Sequence, residues 1–253
     1  IESRGDGFTY IRNDIARNQK VYIREFYPHS LVDRAQDFSV IFKPEYKDEL
    51  EEYQADFQDM AKKLMKLNDQ TALMPVYDIV WANNTVYYVT EYIENVTLTE
   101  AVDAARGKGI AWSSVKNLFD EFLSGIAVMH RLGIVHRGIT PDTLRLCSDG
   151  KLRLVGFSIP AARMAGRGIQ PNLEEGFSAP EQLKGTPYPD SSSDIYGICA
   201  TIYYTLTGTK YQIEQQDDTL YPADLPQYVP KVLKKGMRSD PEQRFINAEE
   251  LKA

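Results

Sequence analysis

The stretch Gly133-Ile134-Val135-His136-Arg137-Gly138-Ile139-Thr140-Pro141-Asp142-Thr143-Leu144 decides how this chain is read. It leaves a segment in which Val115, Leu118, Phe119, Phe122, Leu123, Ile126 and Met129 recur at three-and-four spacing, the apolar stripe of a helix facing a core. It runs into Leu144/Leu146 and Leu152/Leu154, alternating on either side of Asp149-Gly150, which is the pattern of a β-hairpin. Four more short sequences follow in order: Gly156-Phe157-Ser158, Ala179-Pro180-Glu181, Ser193-Asp194-Ile195-Tyr196-Gly197, and Asp240-Pro241 with Arg244 just beyond. Residues 193–206 read as a helix with Gly208 as its stop. The remainder reads as short helices and loops.

Upstream the character differs. Residues 8–12 and 20–27 are rich in aromatic and β-branched side chains and read as strands. An acidic, helix-forming segment spans 45–67, and two more strands, 76–81 and 85–91, flank an Asn83-Asn84 turn. After Tyr92, Thr97 and Glu100 form a capping box for a short helix that stops near Gly107. A small sheet-rich part with one helix therefore precedes a larger helical part.

With 253 residues the chain suits one large domain or two modest lobes. A composition 43% hydrophobic and 26% charged is that of a globular protein. A net charge of −7 argues against binding nucleic-acid phosphates or anionic lipid through the domain surface. No apolar run reaches bilayer length; the nearest, 195–206, is too short and contains tyrosines. Cys147 and Cys199 read as core hydrophobes of a reducing, cytoplasmic compartment, and they make no metal-ligand spacing with the three histidines. No signal peptide opens the chain, which begins in a strand and ends in a helix, so a trimmed piece of a longer protein is expected.

The 133–144 stretch resembles the catalytic loop of protein kinases, H-R-D-x-x-x-x-N. Gly156-Phe157-Ser158 stands where D-F-G would be, and Ala179-Pro180-Glu181 repeats A-P-E unchanged. Residues 193–197 resemble the start of the buried helix after the activation segment. Arg244 resembles the late arginine that pairs with the A-P-E glutamate. Residues 21–28 look most like bacterial serine/threonine kinases. The resemblance covers nearly the whole chain and implies an α+β, two-lobed fold. Its N-lobe would span 1–91, with a five-stranded sheet and one helix, followed by a hinge at 92–95 and a helical C-lobe over 96–253.

The chemistry that the resemblance implies is missing its side chains. Phosphoryl transfer rests on positioning and on neutralising charge around magnesium. The catalytic-loop aspartate is Gly138, which has no side chain to accept a proton. The magnesium-holding asparagine is Thr143, the D-F-G aspartate is Gly156, and the loop lysine is Thr140. The phosphate-gripping lysine is Arg24, whose planar fork does not replace an ammonium. Its helix partner falls on Met60 if Phe57 and Ala61 set the register, with Asp59 one residue away.

The phosphate loop maps onto Glu2-Ser3-Arg4-Gly5-Asp6-Gly7, where only Gly7 keeps its place, and Glu2 and Asp6 would repel an anion. A vestigial nucleotide cleft would involve Gly7, Arg24, Thr90, Tyr92 and Leu146, with Tyr22 in place of alanine filling the adenine pocket. His136, Arg137, Glu181, Asp194 and Arg244 persist as scaffold residues.

The implied function is a catalytically inactive kinase-like domain acting through a protein partner, with no nucleic-acid or direct membrane contact. Its parent would be a bacterial signalling or envelope-associated protein, with a membrane-anchored parent chain among the options. No cofactor is expected, with magnesium-ATP binding weak or absent. The alternative is a divergent nucleotide-binding transferase, or a weakly active serine/threonine kinase, with acids relocated to Asp59, Asp142 or Asp149. Thr143 is expected to line an open cleft, so that Thr143→Asn leaves stability nearly unchanged.

Overall fold

A computed structural model describes residues 2–105, 108–185, 188–212, 221–223 and 225–253, with side chains from residue 5 onward. The expected helix stop at Gly107 and the side chains of Glu2 and Arg4 lie outside the described residues. The chain divides into two compact units, one comprising Ile1–Gln70, Met74–Ile93 and Phe157–Asn172, the other the remainder.

In the first unit β1 (Glu2–Arg4), β2 (Gly7–Asp14), β3 (Gln19–Phe26), β6 (Val76–Ala82) and β7 (Thr85–Glu91) form an antiparallel sheet ordered β1-β2-β3-β7-β6. The β6–β7 turn is the expected Asn83-Asn84 pair, with φ of 52° and 56°, a left-handed conformation that asparagine tolerates. Helix α1 (Lys47–Met65) follows a 3-10 turn at Pro44–Tyr46, because proline suits the start of a helix. Its buried residues Leu50, Phe57, Ala61 and Leu64 keep the helical period. Phe57 sits between Phe26 and Tyr88, ring centroids 5.5 and 5.3 Å away, and burial of such a ring contributes about 1.5–3 kcal/mol.

A separate hairpin, β4 (Val32–Arg34) and β5 (Val40–Phe42), was not anticipated. Its Arg34 binds Glu25 of β3 through both guanidinium ends at 2.7 and 2.9 Å. Tyr10 and Tyr87 also donate to that carboxylate. Burial would raise the Glu25 carboxyl, but these hydrogen bonds outweigh it and hold the group below the usual range.

The second unit contains β8 (Asn95–Thr97), α2 (Leu98–Ala104), α3 (Trp112–Arg131), β9 (Leu144–Cys147), β10 (Leu152–Leu154), α4 (Pro180–Lys184), α5 (Ser191–Thr207), α6 (Tyr228–Gly236) and α7 (Ala248–Lys252). The Thr97/Glu100 capping box forms as expected. The β9–β10 turn is a three-residue loop closed by the bond from Cys147 N–H to the Lys151 carbonyl, with Gly150 at φ 79°. Helix α5 is buried from Ser192 to Leu206, which makes it the axis of this unit, and Gly208 ends it at φ 71°. Gly197 lies so close to the Ile139 backbone that a Cβ would sit 2.6 Å from its carbonyl oxygen, bringing the 133–144 loop against α5. A β-rich unit with one long helix and a mainly helical unit give the α+β architecture expected from the motifs.

Candidate functional site

In the second unit the 133–144 loop is organised by Asp194, buried in the first turn of α5. Its two oxygens accept the backbone N–H groups of His136 at 2.8 Å and Arg137 at 2.6 Å, and the His130 ring at 3.1 Å. The other ring nitrogen of His130 accepts the Ala248 N–H at 3.2 Å, so the proton sits on Nε2 and points at Asp194. Burial would raise the Asp194 carboxyl; the His130 bond, the neighbouring histidines and the His136 N–H outweigh it and leave the group below the usual range. These bonds hold Arg137 at φ 60°, a strained conformation for a non-glycine residue. The Gln182 amide clamps the Arg137 carbonyl at 2.6 Å, and the Arg137 guanidinium donates to the carbonyls of Pro189 and Val135. His136 Nε2 bonds the Val155 carbonyl, fixing the strand end that leads to Gly156, itself at φ 79°.

Within this frame the positions that the resemblance assigns to the chemistry carry no side chain or turn it inward. Gly138 and Gly156 present no side chain. Thr143 does not line an open cleft; it is 1% exposed. Its hydroxyl accepts the Thr140 N–H at 2.8 Å and faces the Gly138 and Thr140 carbonyls at 2.9 and 3.0 Å. The loop backbone partners that hydroxyl, so the open cleft from which a stability-neutral Thr143→Asn was expected is not found at this residue. A magnesium ion wants several oxygen ligands, mostly anionic, and these two positions offer none free; the residues present do not fit the ion. The suggested substitutes are engaged as well. Asp142 accepts the Thr99 hydroxyl at 2.6 Å, and Asp149 binds Arg153 twice, at 2.8 and 2.7 Å. Among the described residues no group of three or more His, Cys, Asp or Glu is placed to hold a metal.

The first unit carries the residues that would face phosphates. Arg24 is 2% exposed, and its ion-pair partner is the fully buried Asp6 in the turn between β1 and β2. Asp6 also accepts the Ile159 N–H at 2.8 Å, and its own carbonyl takes the Tyr27 N–H at 2.8 Å. The Thr9 hydroxyl lies 3.4 Å from the other Arg24 terminus. Gly7 is needed where it stands, because a Cβ there would run into the Glu25 carbonyl oxygen of β3. Met60 is half-buried on α1, whereas Asp59 faces solvent and pairs with Lys62 at 3.3 Å. Tyr22 packs on Tyr92 with ring centroids 5.0 Å apart, and Thr90 stands opposite Tyr22 in the sheet. Leu146 is half-buried in β9 of the other unit.

A pairing missed in the sequence is that of Asp6, read as a charge that repels anions, with Arg24. The β2–β3 register holds the signal: Thr9 stands opposite Arg24, and Asp6 lies three residues before it.

Glu181 and Arg244 form a bidentate pair at 2.7 and 2.8 Å, buried in the second unit, with Ser193 donating to the same carboxylate. A family model described as a protein kinase domain matches residues 32–251. The chain belongs to the protein kinase family. Residues 1–31, with the phosphate loop and Arg24, fall outside that match. The chain is 26% identical over 202 residues to the serine/threonine-protein kinase PrkC of Bacillus subtilis, covering 73% of this chain and 31% of that protein. It is 26% identical over 158 residues to the serine/threonine-protein kinase GIN4 of Saccharomyces cerevisiae, covering 62% and 14%. It thus spans about a third or less of these kinases. Among solved structures, the apo form of PpkA-294 superposes with a TM-score of 0.77 at 20% identity, covering 99% of this chain and 92% of the other. The Mycobacterium tuberculosis PknI kinase domain gives 0.70 at 18% identity, covering 100% and 90%. These likenesses establish the kinase fold.

Proposed function

We propose that this kinase-family domain transfers no phosphate and works by binding a protein partner. The observation that carries the reading is the joint state of three positions: Gly138 and Gly156 lack carboxylates, and the Thr143 hydroxyl is consumed by its own loop. Groups that act as a unit in catalysis are not replaced singly, so Gly138→Asp alone restores nothing. The intact buried network around Asp194, Glu181 and Arg244 supports a fold kept for its surface. The likeness to PrkC, a bacterial serine/threonine-protein kinase, supports a bacterial signalling setting; a cytoplasmic domain of a larger protein belongs to the same proposal. Among the described residues no helix is long and apolar enough to cross a membrane. Incubation with radiolabelled ATP and magnesium tests the reading: no label should enter this protein or a generic acceptor above a no-enzyme control. Incorporation that Arg24→Ala abolishes would favour the competing reading, a divergent or weakly active kinase with relocated acids.

A further inference from the structure

The Asp6 carboxylate divides its oxygens between two donors, one facing the Arg24 guanidinium and the other accepting the Ile159 N–H. A guanidinium and a backbone N–H are the donors that a phosphate group seeks. We infer that Asp6 is a tethered stand-in for a ligand phosphate, so that the chain closes its own polyphosphate seat. This deepens the non-catalytic reading and rests on it: the seat at Arg24 is not merely degenerate but filled from within.

The surroundings argue for a latch rather than an isolated ion pair. The Asp6 carbonyl is held by Tyr27 N–H, which fixes the turn to the end of β3. Gly5, the preceding residue, packs so tightly on the Gln170 carbonyl that no Cβ would fit. Gln170 in turn meets His29 at 3.2 Å, and Tyr53 of α1 donates to the Arg167 carbonyl at 3.0 Å. One carboxylate therefore ties the loop turn, the Arg24 strand and segment Phe157–Asn172 together. An incoming di- or triphosphate must first displace Asp6. That step breaks a buried ion pair and leaves the Ile159 N–H to be satisfied again, so the ligand's gain is offset by what it undoes.

The test uses the near-isosteric Asp6→Asn variant of the full chain, with inorganic tripolyphosphate and with ATP, each in chelator, followed by titration calorimetry. The variant should bind tripolyphosphate at least tenfold more tightly than the parent, and Asp6→Asn/Arg24→Met should lose that gain. A folded Asp6→Asn chain with no gain overturns the inference, as does a parent that binds as tightly as the variant. The parent also provides a measurement that needs no variant, namely hydrogen exchange at the Ile159 amide. That amide should exchange slowly and be indifferent to millimolar tripolyphosphate; exchange at the rate of an unstructured peptide overturns the latch. Phosphoryl transfer by Asp6→Asn, read separately with labelled ATP and magnesium, would support the latch while overturning the non-catalytic reading, so the two fail separately.

Discussion

Replacing Arg244 with alanine strands a charge in the core of the second unit. The Arg244 side chain has no exposed surface, and all five of its N–H groups are used. Two reach Glu181 at 2.7 and 2.8 Å, and the others reach the carbonyls of Arg238, Ser192 and Ser239 at 2.7, 3.2 and 3.2 Å. The variant leaves a buried carboxylate with Ser193 as its remaining side-chain donor, together with three carbonyls to be satisfied elsewhere. Breaking one side of a buried pair costs about 3–5 kcal/mol. For a domain of this size each kcal/mol shifts melting by about 2–4 °C, so calorimetry at neutral pH should record a fall of about 6–20 °C. The pH dependence has a definite sign. In the parent, burial raises the Glu181 carboxyl, but Arg244 and Ser193 outweigh it and the group is held low. Its stabilisation is present above the unfolded value and is lost as pH falls through the folded one. Without Arg244 burial dominates, the carboxyl rises, and acid relieves the penalty; the gap between variant and parent should narrow from neutral pH toward pH ~5. A variant that melts within about 2 °C of the parent at neutral pH would refute the assignment of this pair as a buried structural contact.

Thr143→Val should destabilise by about 1–3 kcal/mol in chemical denaturation, because it orphans the buried Thr140 N–H; a change below about 0.5 kcal/mol would show that the hydroxyl does not close the loop. Asp194→Asn puts an amide N–H among donors and should cost at least about 3 kcal/mol near neutral pH. Because the Asp194 carboxyl is held low in the fold, that cost should shrink as pH falls below about 4, and a gap unchanged from neutral to strongly acid solution would count against the network.

What the sequence disclosed was local. The Asn83-Asn84 turn, the Thr97/Glu100 box and the apolar stripe of α3 each need a few adjacent residues, so they were readable before any contact was known. The β4–β5 hairpin escaped because three-residue strands carry no period, and Phe38 at φ 68° is not a turn signal. The site was half legible. Absent carboxylates at Gly138 and Gly156 are plain from residue identity, since glycine has no side chain to orient. Thr143 was misjudged because identity does not say which way a hydroxyl turns, and a short loop offers it local backbone partners. Asp6 was misjudged because its pairing joins residues 6, 24 and 159, contacts that no window of sequence contains.

On the proposed non-catalytic reading, the same geometry accounts for a kinase scaffold that persists without catalytic acids. Asp194 and Glu181 each gather several donors, so losing either carboxylate leaves buried donors unpaired and the fold must bear the cost. By the motif resemblance, Gly138 and Gly156 stand where an active kinase keeps acids. Glycine at these positions leaves no carboxylate to be satisfied, and at Gly156, with φ 79°, glycine is the residue the backbone prefers. Selection for a folded surface alone would therefore retain Asp194, Glu181 and Arg244 while leaving the catalytic acids free to drift. On that reading His136-Arg137 and Ala179-Pro180-Glu181 report the fold, and activity is to be tested at Gly138, Thr143, Gly156 and the Asp6–Arg24 pair.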